Sequence, residues 1–362
     1  MADLLKNMYN KDYLERLATN IKAAHSPFEA EKFVASVMDE TWDSLELKGR
    51  MRQITVNLHK FLPQDYPTAI GIITEAIKSY TNWLDGFCLY FPDYVELYGQ
   101  DQHHWEISMT ALAFFTQYAS GEFAVRPFII NHEEKMMAQM RAWSKSENPH
   151  VRRLSCEGCR PALPWAQALP KFKKDPTPVI PILETLKADP DLYVRKSVAN
   201  NLNDISKTHP QLVVEIAQKW YGKNPDTDWI VKHACRTLLK KANRDALKIF
   251  GFGDGAWIDV AGFAINKTTV KIGDEFEFSF EICTNDATKI RLEYAIDFAK
   301  AKGKQSRKVF QISEQDFAPG KKAYVKTHSF ADLSTRKHYA GAHAITLIVN
   351  GAERGTLEFE II

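Results

Sequence analysis

The sequence predicts a mainly α-helical repeat array followed by an all-β sandwich. Three observations carry this expectation. Basic stretches headed by a valine recur at a spacing near 40 residues. Apolar residues up to about residue 250 follow the helical period. Beyond the glycine-rich joint Phe250-Gly251-Phe252-Gly253-Asp254-Gly255, they alternate with a period of two.

The helical part comes first. Tyr13-Leu14-Leu17-Ile21 and Phe33-Val34-Val37-Met38-Trp42 keep helical spacing, as do Ile70, Ile73, Ala76 and Ile77. A further helix is expected over about 42–59. Pro and Gly punctuate between these runs, at Ser26-Pro27, Leu62-Pro63 and Phe91-Pro92. Three stretches then align on one another: Val151–Arg160, Val194–Asp204 and Val231–Lys240, their valines 43 and 37 residues apart. That period marks HEAT-like repeats, in which each helix pair must stack on its neighbours to bury its apolar face. Asn148-Pro149, Asp189-Pro190 and Asn224-Pro225 precede the repeat helices. There an Asn or Asp side chain caps exposed N–H groups and Pro fits the first turn. Each repeat carries a cation directly after its valine, at Arg152, Arg195 and Lys232. Stacking would align these into a stripe suited to a polyanion such as DNA.

After the joint, Phe276, Phe278, Phe280 and Ile282 alternate with polar residues, and so do Ile290, Leu292, Tyr294, Ile296 and Phe298. Tyr324-Val325, Ile345-Leu347-Val349 and Leu357-Phe359-Ile361 follow, with Asn350-Gly351 as a hairpin turn. Some seven short strands in about 110 residues predict an immunoglobulin-like sandwich. With Cys283 as its one cysteine, this part has no inter-sheet disulfide. The expected domains are therefore a helical-repeat domain over 1–250 and an immunoglobulin-like domain over 256–362.

Bulk properties agree with two folded domains. The chain has 362 residues, 45% hydrophobic and 25% charged. Its net charge is only +2, so a nucleic-acid reading must rest on where the charges sit. Cysteines at 88, 156, 159, 235 and 283 do not form a disulfide framework, which points to a reducing compartment. Met1 to Met8 lacks the apolar core of a signal peptide, and no apolar run is long enough to span a bilayer. The expectation is a cytoplasmic monomer with no membrane partner.

The usual catalytic templates are absent. There is no Gly-rich phosphate loop, no GxSxG, no Rossmann fingerprint and no HExxH, so neither cofactor nor metal is expected. Cys156-Glu157-Gly158-Cys159 is a lone CxxC without the second pair a zinc site needs, and is read as packing. Candidates remain among the carboxylates. Glu157 shares a helix with Arg152, Arg153 and Arg160, and its plain alternative is a solvated i,i+3 pair with Arg160. Asp204 ends the second repeat helix, where it is otherwise a polar terminus. Glu122 and Arg126 are an ordinary i,i+4 pair by default. Trp165 after Pro164 is either core or an aromatic platform. Further basic runs are Lys48, Arg50 and Arg52; Lys300, Lys302, Lys304, Arg307 and Lys308; and the loop Ser334-Thr335-Arg336-Lys337-His338-Tyr339-Ala340-Gly341. One polyanion would account for them together with the stripe.

The stretches Glu122–Phe128, Asn148–Trp165 and Asp191–Asp204, with Ser334–His343 in the β part, resemble the AlkC-type DNA alkylation repair glycosylases over nearly the whole chain. The resemblance implies a monofunctional glycosylase. It would excise cationic N-methylated bases, chiefly 3-methyladenine and 3-methylcytosine, from duplex DNA without a deep base-flipping pocket. It implies Glu122, Glu157 and Asp204 as active-site carboxylates, Trp165 as an active-site aromatic, and Arg152 as a contact to the DNA backbone near the lesion. The other expected DNA contacts are Arg153, Arg195, Lys196, Lys232, Arg236, Arg336, Lys337 and His338. The alternative class is a non-catalytic HEAT-repeat module that binds DNA or protein.

Overall fold

The computed structural model describes residues 5–80, 88–300, 305–332 and 337–362. The described chain is helical as far as Ile249 and built of strands from Asp259 onward, the change of period expected at the glycine-rich joint. The helical faces are those the spacing predicts. Helix Lys11–Ala24 buries Tyr13, Leu14, Leu17 and Ile21, and helix Tyr66–Ile77 buries Ile70, Ile73, Ala76 and Ile77. One boundary differs. The chain makes a short 3-10 turn at Trp42–Ser44 and only then enters helix Leu47–Phe61, because Glu46 is in an extended conformation.

The repeat helices begin as their caps dictate. Asn148 Oδ1 accepts from the His150 N–H at 2.9 Å with Pro149 in the first turn, and Asn224 Oδ1 accepts from the Asp226 and Thr227 N–H groups at 2.9 and 3.1 Å. The middle repeat departs from this. Helix Leu192–Ile205 is capped by Asp191, which accepts from the Tyr193 N–H at 2.8 Å, two residues later than the Asp-Pro pair. Asp189 is needed elsewhere: Arg152 holds it. Helices Pro149–Glu157 and Leu192–Ile205 pack side by side, with helix Glu133–Trp143 against the former.

Among the described residues eight strands form the β part: β1 Asp259–Ile265, β2 Thr269–Val270, β3 Glu275–Thr284, β4 Thr288–Ala299, β5 Gln305–Phe317, β6 Gly320–Ser329, β7 Gly341–Val349 and β8 Ala352–Ile361. They make a three-stranded sheet, β1-β3-β6, and a five-stranded sheet, β2-β8-β7-β4-β5. Phe276, Phe278, Phe280 and Ile282 from β3 meet Ile290, Leu292, Ile296, Leu347 and Phe359 in one core. Asn350 and Gly351, at φ +48° and +78°, make the β7–β8 turn, whose two left-handed residues suit Asn-Gly.

The compact units do not divide where the secondary structure changes. One comprises residues 1–208 with 224–230; the other comprises 209–223 with 231–362. Within the second unit, the polar positions of β4 are therefore not solvated. Arg291 and Glu293 are 2% and 1% exposed and pair with each other at 2.5 Å. Helical residues supply the cover: Lys232 pairs with Glu314 of β5, and Gly351 sits so close to Ala242 and Leu247 that a Cβ there would lie 2.9 Å from each.

Candidate active site

The three expected carboxylates lie in the first unit, on neighbouring elements. Glu122 stands in the turn before helix Val125–Asn131, Glu157 ends helix Pro149–Glu157, and Asp204 is in the last turn of helix Leu192–Ile205. One chain of charge-assisted bonds joins them. Arg153 bridges Glu122 and Glu157, the latter at 3.5 Å. Arg160 bridges Glu157 at 2.6 Å and Asp204 at 2.9 Å, and Lys207 closes on Asp204 at 2.8 Å. Ser197 Oγ donates to Glu157 Oε2 at 2.6 Å, and Ser120 Oγ to Glu122 Oε2 at 2.8 Å. The i,i+3 pair of Glu157 with Arg160 is thus real but not solvated, since both residues are buried.

Burial alone would draw the Arg153 and Arg160 pKa values down. The facing carboxylates outweigh it, Glu122 and Glu157 for Arg153, Glu157 and Asp204 for Arg160, and both pKa values are raised. These guanidinium groups stay charged and hold the carboxylates in place. The Arg153 guanidinium also lies over the Tyr193 ring at 4.9 Å, a cation–π contact. Saturation is uneven along the chain. Both oxygens of Glu157 and of Asp204 are engaged, whereas Glu122 Oε1 takes no hydrogen bond among the described residues.

Trp165 is not core: it is 69% exposed. Its φ of +62° is left-handed, a region a bulky residue occupies at a cost of roughly 1–3 kcal/mol when its surroundings enforce it. Arg126 supplies part of that enforcement. Instead of the expected i,i+4 pair with Glu122, its Nη1 donates to the carbonyls of Gly158 and Arg160 at 2.9 and 3.0 Å, and its Nε to that of Gln167 at 2.5 Å. Burial lowers the Arg126 pKa to about 10. Lys48 donates to the Trp165 carbonyl at 3.0 Å. Gly158, where this segment leaves the helix, is required by close approach: a Cβ there would lie 2.5 Å from Val125 Cγ2. Cys156 and Cys159 are buried free thiols, and burial pushes Cys159 up to about 12, in keeping with packing.

The expected cationic stripe has another use. Arg152 grips Asp189 through Nε at 2.6 Å and Nη2 at 3.1 Å, and donates to the carbonyls of Ser146 and Glu147. Arg195 repeats the pattern one repeat on, donating to the carbonyls of Asp189 and Pro190 at 2.8 Å and pairing with Asp226 at 3.2 Å. These arginines fasten each repeat to the next, so the stripe is not a row of unengaged cations. In the second unit Lys232 lies over the Phe250 and Phe252 rings at 4.5 and 4.9 Å, and burial beside Arg291 and Lys289 lowers its pKa to about 8. Arg236 donates to the His233 carbonyl at 2.7 Å. Arg50 and Arg52 are engaged too, the former buried over Trp42 at 4.9 Å, the latter paired with Asp93 and Glu96.

Lys48, Lys196 and Lys337 are exposed. His338 requires a correction. It is 7% exposed, its ring 5.5 Å from that of Phe298 and 5.4 Å from that of Phe330, so it belongs to the sandwich interior and not to a gripping loop. Arg336, Lys302 and Lys304 lie outside the described residues. Sequence reasoning missed Lys207, Ser120, Ser197 and the true partners of Arg126. Only Lys207 carried a signal, its i,i+3 spacing from Asp204.

Residues 119–242 match the family model described as DNA alkylation repair enzyme, and residues 259–362 match that of the C-terminal Ig-like domain of YhaZ. The uncharacterized protein YhaZ of Bacillus subtilis (strain 168) is 47% identical over 362 residues, 100% of both chains. The alkylpurine DNA glycosylase AlkC of Pseudomonas fluorescens, solved bound to DNA containing an abasic site analog, is 35% identical. Its TM-score is 0.95, over 99% of this chain and 100% of that one.

Proposed function

The chain belongs to the AlkC/YhaZ-type family of DNA alkylation repair glycosylases, and on that premise we propose that it is a monofunctional hydrolase of the N-glycosidic bond of cationic N-alkylated bases. Its substrates in this reading are 3-methyladenine and 3-methylcytosine in duplex DNA, taken without base flipping. The observation that carries it is the continuous chain Glu122–Arg153–Glu157–Arg160–Asp204, with an exposed indole in the same unit.

The chemistry asks for little more. A base methylated at N3 already bears positive charge, so it departs without a general acid. What remains is to stabilise positive charge growing on the deoxyribose and to orient a water molecule. Preorganised carboxylates do both. The logic is that of glycoside hydrolysis without the proton donor. Glu122, the carboxylate with an unengaged oxygen, orients the water and takes its proton. Glu157 and Asp204, both saturated, supply fixed negative potential and hold Arg153 and Arg160. The Trp165 face meets the cationic base or sugar, a cation–π contribution on the order of 1–2 kcal/mol when desolvated.

DNA contacts in this reading come from the exposed Lys196 and Lys337, and from Arg336. Arg152 and Arg195 shape the surface through their inter-repeat bridges and reach phosphate only by sharing those donors.

The test is release of free base from defined methylated duplexes under single-turnover conditions. Glu122→Gln is expected to slow release by about 100-fold, in line with loss of a positioned general base. Asp204→Asn is expected to slow it less and to leave duplex affinity near that of the parent. Release of base by Glu122→Gln at the parental rate would remove Glu122 from this role. Binding of methylated duplex by the parent without any product would instead favour the non-catalytic module.

A further inference from the structure

We propose that Lys48 is a positioning residue that locks Trp165 in its working orientation, making the loop from Gly158 to Leu169 a clamp pinned at two points. The inference rests on the reading of Trp165 as the aromatic platform. Among the described residues Trp165 is one of three non-glycine residues with positive φ and by far the most exposed large aromatic. A strained, mostly solvated indole has little packing of its own to keep it in place, so the backbone around it must be held from elsewhere. Two cations do this from two different elements. Arg126 collects the carbonyls of Gly158, Arg160 and Gln167 on the buried side. Lys48, from helix Leu47–Phe61, donates to the carbonyl of Trp165 itself at 3.0 Å.

Lys48 is in turn oriented by the ring of Phe123, 4.8 Å from its ammonium group. Phe123 directly follows Glu122, whose carboxylate opens the acidic chain. The lysine therefore links the indole platform to the segment that bears the proposed water-orienting carboxylate, and sets their relative geometry. The arrangement uses an exposed side chain for a task that its exposure alone would assign to a phosphate contact.

Lys48→Met and Lys48→Arg separate the two roles. Methionine keeps the aliphatic stem against Phe123 but donates nothing, while arginine can still reach the carbonyl. For Lys48→Met we expect the maximal single-turnover rate to fall by about tenfold, as expected for a displaced catalytic group. The protein concentration giving half-maximal rate and the thermal midpoint stay near the parental values, and Lys48→Arg recovers most of the rate. Protein labelled with 5-fluorotryptophan gives a readout independent of turnover. The Trp165 fluorine resonance, assigned with Trp165→Phe, is expected to shift or broaden in Lys48→Met and to return in Lys48→Arg. An unshifted Trp165 resonance in Lys48→Met overturns the proposal. So does a variant that keeps the maximal rate but needs more protein and shows a weaker salt dependence, which is the behaviour of a phosphate contact. Should the parent release no base at all, the proposed function fails while the fluorine spectrum still decides whether the clamp exists.

Discussion

Trp165 and Arg126 separate function from stability at the scale of single residues. Trp165 is mostly exposed and packs little, so Trp165→Ala is expected to change stability by no more than about 0.5 kcal/mol. Its rate of base release should nonetheless drop, as measured by urea denaturation alongside the glycosylase assay. Arg126 is the reverse. It is 1% exposed and donates to three loop carbonyls, so Arg126→Met strands those acceptors. The loss is expected to be roughly 3 kcal/mol, read from the urea midpoint. Sequence spacing misassigned Arg126 to Glu122 because an i,i+4 rule holds only inside a continuous helix. Glu122 lies in the turn before the helix, where its side chain points toward Arg153 instead. The exposure of Trp165 was equally illegible, since a Pro-Trp pair reads the same in a core and on a surface.

Elements are joined here by side chains that the sequence marks without explaining. The cations after the first two repeat valines, Arg152 and Arg195, meet the same need, for loop carbonyls and an Asp at the repeat edge require a donor, whereas Lys232 pairs with Glu314 instead. A double-mutant cycle of Arg152→Ala with Asp189→Ala should give a coupling of about 1–3 kcal/mol in thermal or chemical unfolding, and additivity would remove the latch. In the sandwich, His343 joins the end of β4 to β7. Its Nε2 accepts from the Ala299 N–H at 3.2 Å and its Nδ1 donates to the Gly341 carbonyl at 2.8 Å. Burial lowers its pKa below the ordinary value, partly offset by the Gly341 bond. The folded state therefore prefers the neutral ring, while the unfolded chain takes a proton near pH 6.5. Stability is full above that pH and is lost as pH falls through it, because a protonated Nε2 would face a donor. A thermal midpoint that declines from pH 7.5 to 5.5, with a shallower decline in His343→Leu, is the expected result.

For the whole molecule, the change from helical to alternating pattern at the glycine-rich joint marked the end of helix correctly but does not coincide with the edge of a compact unit. Residues 231–252 belong to the same compact unit as the sandwich and cover part of it, with Lys232 paired to Glu314 of β5, Gly351 close to Ala242 and Leu247, Lys289 over the Phe252 ring, and Leu247, Phe250 and Phe252 buried. A fragment of residues 256–362 leaves that cover behind, whereas one of residues 209–362 keeps it. The longer fragment is expected to be more stable by about 4 kcal/mol or more, from apolar burial alone, in parallel urea titrations. Equal midpoints would restore the boundary at the joint. By itself the sequence determined the helical array and the sandwich, because periodicity, turn chemistry and repeated spacing are local properties that survive without coordinates; the three carboxylates were singled out only by the family resemblance. Only the tertiary structure decided which charges meet. Ion pairs between repeats depend on stacking that brings residues 30 to 45 positions apart into contact, as Arg153 meets Glu122 and Arg160 meets Asp204. Tertiary packing likewise decides burial: it made Arg152 a latch between repeats, His338 a core residue of the sandwich and Trp165 an exposed indole.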